Sequence, residues 1–435
     1  MLKSIRLMSV LGIGFVFLTT GVMAGDWPRF LGPGDNAKAD QGDAKGFWKG
    51  ESLEKMWEFP KGKGWACPAV VGPRVIVFHR IQGEEVLDCL DVTSGKVLWH
   101  LAYQAPYRDR YGSSDGPRSS PVVSGSRVFS FGVTGLLHCV DLQSGEVKWK
   151  RDLSKDYAMK PNFFGHGGTP LIIDGRVIVP IGGTEDRCVV ALDEQSGKEL
   201  WIASHPWGAG YASPVAATTG AKREGKPRGL VFAGGESRPP TGGLLCIELE
   251  TGKVLGEMPH RSKIAESVNA ASPLVVGSTV FTTEAYGSGG VMSEIQGDGS
   301  LRKLWGTSKL GSQFMTPLEK DGFIFGFDGQ NPQLAELVCL DAKTGEQKWR
   351  DDLGGKVGRA NLVDLGESGL LALGEFGELL RLKVDASGAK VEQRLRLFDA
   401  PETWTMPVLA GGRLFVTQNE PGRDRSPARV ICFGK

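Results

Sequence analysis

The sequence lacks an excess of either charge. It holds 51 Lys and Arg against 50 Asp and Glu, a formal net charge of +1. Without the first 24 residues, which carry Lys3 and Arg6, the balance is 49 − 50 = −1. A chain this close to neutral has no long-range field to gather a polyanion, so nucleic acid is not an expected partner. The single basic run, "KREGKPR" at Lys222–Arg228, reads as a solvated hairpin loop. Paired metal-ligand motifs are missing too. Six histidines are scattered without paired spacing, and there is no Cys-x-x-Cys, no Cys-x-x-Cys-His and no adjacent cysteine pair. These gaps argue against zinc, haem attachment and dithiol redox chemistry. "GHGG" at Gly165–Gly168 has the look of an esterase oxyanion loop, but no Gly-x-Ser-x-Gly nucleophile follows it.

A disulfide framework is not expected either. Seven cysteines leave at least one unpaired. Cys89, Cys139 and Cys339 each stand two residues before an Asp in similar stretches, and Cys246 and Cys432 hold the same place in weaker copies. Equivalent sites in neighbouring repeats lie farther apart than the roughly 7 Å Cα limit for a bridge. These cysteines are expected to be small buried core residues.

What the chain has is repetition. Glycine is abundant, 62 of 435, as many tight turns between short strands require. "LDCLDVTSGKVLWH" (Leu87–His100), "LHCVDLQSGEVKWK" (Leu137–Lys150), "VVALDEQSGKELWI" (Val189–Ile202) and "LVCLDAKTGEQKWR" (Leu337–Arg350) are one motif written four times. The Asp opens a turn in which its carboxylate accepts backbone N–H groups two residues on. The Gly takes the left-handed conformation that closes the hairpin. The Trp, on the next strand, buries a large flat ring. A second signal precedes each turn: a small residue, usually a Pro, then two apolar strands. Its alignment positions are Pro68, Pro121, Pro170, Pro214, Pro273, Pro317, Leu362 and Pro407, spaced by 53, 49, 44, 59, 44, 45 and 45 residues. The two long intervals carry insertions, one around Tyr103–Pro117 and one at Gly235–Gly243.

Four strands in about 45–50 residues is the period of a β-propeller blade. The expected fold is all-β, an eight-bladed propeller of four-stranded antiparallel blades over residues 53–435. The last unit ends after three strands, and "SLEKMWEF" (Ser52–Phe59) is an isolated fourth strand with Trp57 at the motif's Trp position. Leu53–Phe59 should therefore complete the last blade and close the ring, leaving residues 25–52 as a surface leader. The fourth unit puts Gly256 where Trp belongs. The fifth keeps Trp305 without the Asp–Gly turn. Residues 1–24 read as a signal peptide: Lys3 and Arg6, an apolar run from Leu7 to Leu18, then Val22-Met23-Ala24. Cleavage after Ala24 would leave no stable membrane span; retention of the apolar run as an anchor is the alternative. The mature protein is expected to be periplasmic or secreted.

The "LD..[ST]GK..W" unit resembles the pyrroloquinoline-quinone (PQQ) repeat of β-propellers. That group includes quinoprotein alcohol dehydrogenases and BamB-like proteins, the noncatalytic propeller component of outer-membrane assembly machinery. The resemblance spans about Leu53–Lys435, and "DWPRFLGP" (Asp26–Pro33) is similar to the leader of exported BamB-like proteins. It implies the fold strongly and the function weakly, because the Trp motif docks blades in enzymes and scaffolds alike. The dehydrogenases carry an adjacent cysteine pair, a calcium held by carboxylate and amide oxygens, and a catalytic Asp. The cysteine pair is missing here. The expectation is a noncatalytic, BamB-like binding or assembly scaffold, monomeric, with no catalytic residue, no metal and no cofactor, PQQ and calcium included. A PQQ-dependent alcohol dehydrogenase-like oxidoreductase is the alternative. A carbohydrate or small-molecule binder is the third reading. The partner would be an envelope or secreted protein, recognised as an extended peptide.

A binding site would lie at one mouth of the propeller axis, where the loops entering the innermost strands converge. Three positions before each alignment point stand Trp65, Arg118, Gly167, Tyr211, Ala270, Phe314, Arg359 and Trp404. One position earlier come His166, Asn269 and Gln313. Trp, Tyr and Arg anchor interfaces; packing that plugs the channel is the competing role. The insertion Tyr107–Arg118 should overhang this mouth.

Overall fold

The computed structural model describes residues 25–218, 227–355 and 357–434. The signal-peptide reading of residues 1–24 and most of the basic run at 222–226 lie outside the described residues. Within the described part, Arg228 meets Glu248 at 3.4 Å.

Eight four-stranded sheets are present, each antiparallel. Blade 1 is Ala69–Val71, Arg74–Ile81, Glu84–Asp91 and Val97–Gln104, running from the axis outward. Six blades repeat this order. The eighth joins Val408–Ala410, Arg413–Gln418 and Arg429–Gly434 to the early strand Glu54–Pro60, which pairs Trp57 with Cys432 and Glu58 with Ile431. The expected closure is thus observed, with the closing strand one residue later than Leu53–Phe59.

The motif residues explain how one blade holds the next. Asp91 accepts backbone N–H groups from Thr93 and Ser94 at 3.1 and 2.8 Å, and Asp141 and Asp341 do the same in their blades. Gly95, at φ +68°, has a second duty beyond the turn. A Cβ there would lie 2.7 Å from the ring of Trp57 in the neighbouring blade. The Trp57 indole N–H donates to the carbonyl of Val92 at 3.0 Å. Trp99, Trp149 and Trp201 repeat the bond to Leu142, Glu194 and Leu249. Each Trp stands opposite a small residue on its own sheet: Cys89 faces Trp99, Cys139 faces Trp149 and Ala191 faces Trp201. All seven cysteines are free and buried, as expected. In the fourth blade Gly256 replaces the ring, and a Cβ there would meet the Gly299 carbonyl at 2.7 Å. The fifth blade builds a shorter hairpin in place of the motif turn, with Asp298 accepting the Ser300 N–H at 2.9 Å. The apolar core is accordingly divided into clusters between faces of adjacent blades. Ile76, Phe78 and Leu87 of blade 1 pack on Val128 and Val140 of blade 2, for example.

Near the axis, the residue before each Pro forms a circle of bonds between blades. Cys67 N–H donates to Ser120 Oγ, Ser120 N–H to Thr169 Oγ1, and Thr169 N–H to Ser213 Oγ, at 2.9, 3.0 and 2.9 Å. Ser213 and Ser272 continue it to Ser272 Oγ and Thr316 Oγ1 at 3.1 and 3.0 Å. The Met406 N–H closes back onto Cys67 Sγ at 3.1 Å. Asn361 and Met406 have no hydroxyl, and the circle breaks there; the Asn361 amide donates instead to the Trp404 carbonyl at 3.0 Å.

One expectation needs correction. Residues 25–52 do not simply cross the surface. Trp27, Leu31, Ala39, Ala44, Phe47 and Trp48 are buried in the cluster joining blades 8, 1 and 7. Trp27 pairs with Val70 of the innermost strand of blade 1, and Pro28 accepts the Val123 N–H of blade 2 at 2.8 Å. Asp26 accepts from Gly72 at 2.8 Å, beyond the far end of that innermost strand. Lys38 then pairs with Asp364 of blade 7. The leader therefore enters the axis from the face opposite the predicted mouth. The physical reason is composition: two Trp and two Phe among the polar residues are too apolar to leave in water.

Candidate functional site at the axial mouth

The predicted ring assembles. A cavity of about 170 Å³ opens at the end of the axis where the innermost strands begin, with Trp65, Arg118, Tyr211, Gln313, Phe314 and Trp404 in its wall. Phe30 of the leader contributes from below. Trp404 links two neighbours, its ring centroid 4.7 Å from Trp65 and 4.9 Å from Phe314. Gly167 belongs to the ring as a close approach: a Cβ there would sit 3.0 Å from Tyr211 and 3.3 Å from Arg118.

Both arginines are held from behind. Arg359 lies 5.1 Å from the ring centres of Phe314 and Trp404. Its guanidinium is clamped by Glu375, which is 2% exposed, through Nε at 2.8 Å and a second close contact from Nη2. Glu375 also accepts the Trp404 indole N–H at 2.8 Å, and Gln313 accepts from Arg359 at 2.6 Å. Arg118 stacks 4.9 Å from Trp65 and donates to the buried Asp109 at 3.0 Å. Asp109 in turn accepts the N–H groups of Tyr111 and Ser113 at 2.9 and 3.0 Å. The insertion Tyr107–Arg118 is thereby folded on Asp109, and its Ser113 reaches the cavity wall.

His166 and Asn269 are not brought to the cavity. His166 is buried between blades 2 and 3, its Nε2 3.1 Å from Ser154 Oγ and its ring near Phe131. Burial drops its pKa to about 4, so the ring is neutral. Asn269 braces blades 4 and 5: its carbonyl accepts from Tyr211 and Ala212 at 3.1 and 3.0 Å, and its amide donates to Phe232. Sequence reasoning missed Phe30, Phe164, Asp109 and Glu375. The carboxylates could have been sought as partners for the two arginines; nothing in the sequence placed Phe30 beneath the axis.

A Gly-x-Ser-x-Gly pattern does stand at Gly112–Gly116, ahead of "GHGG". It lies in the mouth insertion rather than on a strand–helix elbow, and the buried Ser114 Oγ accepts the Gly116 N–H at 3.3 Å. Among the described residues no group of three or more His, Cys, Asp or Glu side chains could hold a metal ion. No helix among them is long and apolar enough to cross a membrane.

Repeat, closure and axial mouth define the class first: a β-propeller built of PQQ-like repeats. The family model described as outer membrane protein assembly factor BamB matches residues 83–351, and the chain belongs to that family. The BamB protein of Burkholderia pseudomallei is 24% identical over 403 residues, covering 83% of this chain and 97% of that protein. The quinohemoprotein alcohol dehydrogenase ADH-IIG of Pseudomonas putida is 27% identical over 121 residues, which cover 27% of this chain and 16% of the enzyme. A europium-containing methanol dehydrogenase structure superposes with a TM-score of 0.66 at 12% identity, covering 95% of this chain and 98% of that one. That likeness is one of fold.

Proposed function

We propose that this protein is an exported, noncatalytic scaffold that captures an extended segment of a partner protein at its axial mouth. One observation carries the reading: the mouth presents aromatic faces while its charged groups are already engaged. Arg118 is tied to Asp109 and Arg359 to Glu375, so neither the arginines nor the carboxylates are free to act on a substrate. Such a surface gives contact area at low entropic cost. The BamB family membership supports the same direction.

A calcium-bound quinone fits these residues poorly. The seven cysteines are dispersed as buried core residues. The Asp109 and Glu375 carboxylates neutralise the two mouth arginines, which leaves them unsuited to gather around a divalent cation. Export follows from the reading of residues 1–24.

The test places a photo-crosslinking residue at Ser113, in the mouth, and another at Lys96, on the outer rim. An extended, unstructured peptide should crosslink from Ser113 and not from Lys96. Trp404→Ala/Arg118→Ala should abolish the Ser113 adduct. Equal crosslinking from both positions, or dye reduction by alcohols after adding PQQ and Ca²⁺, would overturn the proposal.

A further inference from the structure

The size and polarity of the axial cavity say what part of a partner it takes. About 170 Å³ is close to the volume, about 150 Å³, of an engineered apolar cavity that holds one benzene molecule. The space therefore suits a single six-membered ring. Six of its fourteen wall residues are aromatic: Trp65, Phe164, Tyr211, Phe314 and Trp404, with Phe30 from the leader.

The polar groups narrow the ligand further. A sugar ring presents hydroxyls all around its edge and needs several free donors and acceptors. Here Tyr211 OH accepts the Phe164 N–H at 2.9 Å, Trp404 N–H is given to Glu375, and Gln313 bridges Arg359 and Tyr286. Two more lining hydroxyls accept in the same way as Tyr211. Thr169 Oγ1 and Ser213 Oγ each accept a backbone N–H from the neighbouring blade, at 3.0 and 2.9 Å. Accepting leaves each O–H hydrogen available to donate. The cavity thus offers aromatic walls and hydrogen-bond donors, the Thr169, Ser213 and Tyr211 hydroxyls and the unpartnered Trp65 indole N–H, which together suit a ring bearing an acceptor oxygen.

We propose that the axial cavity receives one aromatic side chain, tyrosine foremost, from the extended partner segment, with the phenol oxygen accepting from Thr169 and Ser213. This rests on the capture of a partner chain at the mouth. The leader then has a role in specificity, because Phe30 limits the depth of the cavity and excludes a bicyclic ring.

The full chain, with ¹⁵N-labelled indoles, tests this by titration while the Trp65 and Trp404 resonances are followed. The probes are p-cresol, toluene, methyl β-glucopyranoside, 3-methylindole, and a twelve-residue Gly/Ser/Thr/Gln peptide with a central Tyr or Ala. The Tyr peptide should bind about tenfold to a hundredfold tighter than the Ala peptide, the gain expected from burying one ring. Among the small probes, p-cresol should exceed toluene by about threefold to tenfold, as one hydrogen bond allows. Ser213→Ala should shrink that ratio. Phe30→Ala, at a part-exposed position, should shift preference from p-cresol toward 3-methylindole without altering the blades. If Tyr and Ala peptides move both indole resonances with equal affinity, partner capture stands and the aromatic anchor is refuted. Preference for the glucoside over p-cresol refutes it as well. If neither peptide disturbs Trp65 or Trp404, capture at the mouth falls along with it.

Discussion

Ring closure makes Trp57 the Trp of the junction where the two ends of the propeller meet. Its ring is 8% exposed, packs 5.9 Å from Phe415 in its own blade and lies against Gly95 of blade 1. Its indole N–H reaches the Val92 carbonyl at 3.0 Å. Trp57→Ala removes this contact at the one junction where the two ends of the propeller meet. A buried Trp truncated to Ala costs about 3–5 kcal/mol, hydrogen bond included. Trp305 is the internal comparison, because its ring is only half-buried and its N–H has no partner. Trp305→Ala should cost less, about 2 kcal/mol. In urea, followed by far-ultraviolet circular dichroism, a slope of about 3 kcal/mol/M turns the first loss into a midpoint drop of about 1 M or more. The two sides of the contact can also be separated. Gly95→Ala should cost about 2–4 kcal/mol, from left-handed backbone strain of about 1–2 kcal/mol and the clash with the ring. In the Trp57→Ala background the clash is gone and only the strain should remain. Additive losses in the double variant, or a Trp57→Ala midpoint no lower than that of Trp305→Ala, would refute the idea that this ring holds the circle shut.

Other perturbations follow from the same contacts. Glu375→Ala strands the buried Arg359 guanidinium and should cost about 3–5 kcal/mol in urea melts, while the paired change Arg359→Met/Glu375→Met should recover most of it. Ser272→Ala leaves the Ser213 N–H without its acceptor and should cost about 1–3 kcal/mol by the same measurement. Acid should weaken the fold through histidine. Burial drops His138, His166 and His260 to about 4, below the ordinary 6.5, so the unfolded chain takes up protons first as pH falls. Their contribution is intact above pH 6.5 and is lost between 6.5 and about 4, at up to about 2 kcal/mol each by pH 5. Burial raises the pKa of Glu85 and Glu284, which acts in the opposite sense. The readout is therefore a difference: thermal melts at pH 7 and pH 5 should diverge less for His166→Phe than for the parent, and an unchanged gap would count against the assignment.

The blades were legible because each motif residue does the same work at every junction. Asp caps its own turn, Gly accepts the neighbouring Trp face, and Cys or Ala makes room opposite that Trp. Identical local duties leave identical letters, and Trp57 could be placed in the last blade from its motif alone. The small residue before each Pro was visible as a pattern, but its purpose was not. That Ser120, Thr169, Ser213 and Ser272 accept N–H groups from the preceding blade depends on radial packing, which no single repeat contains. The mouth was half legible for the same reason. Counting back a fixed number of residues found Trp65, Arg118, Tyr211, Phe314, Arg359 and Trp404, because every blade delivers that position to one rim. One residue earlier the count held for Gln313 and failed for His166 and Asn269, which turn into the spaces between blades. It was silent about Glu375, Asp109 and Phe30, which arrive from loops and the leader and obey no period. The periodic positions therefore supply the aromatic faces common to all blades, whereas the aperiodic ones set charge and depth. If binding preference resides anywhere in this propeller, it resides in that second set: Phe30 fixes how large a ring can enter, and the Asp109 and Glu375 carboxylates keep a site with two arginines from being an anion trap.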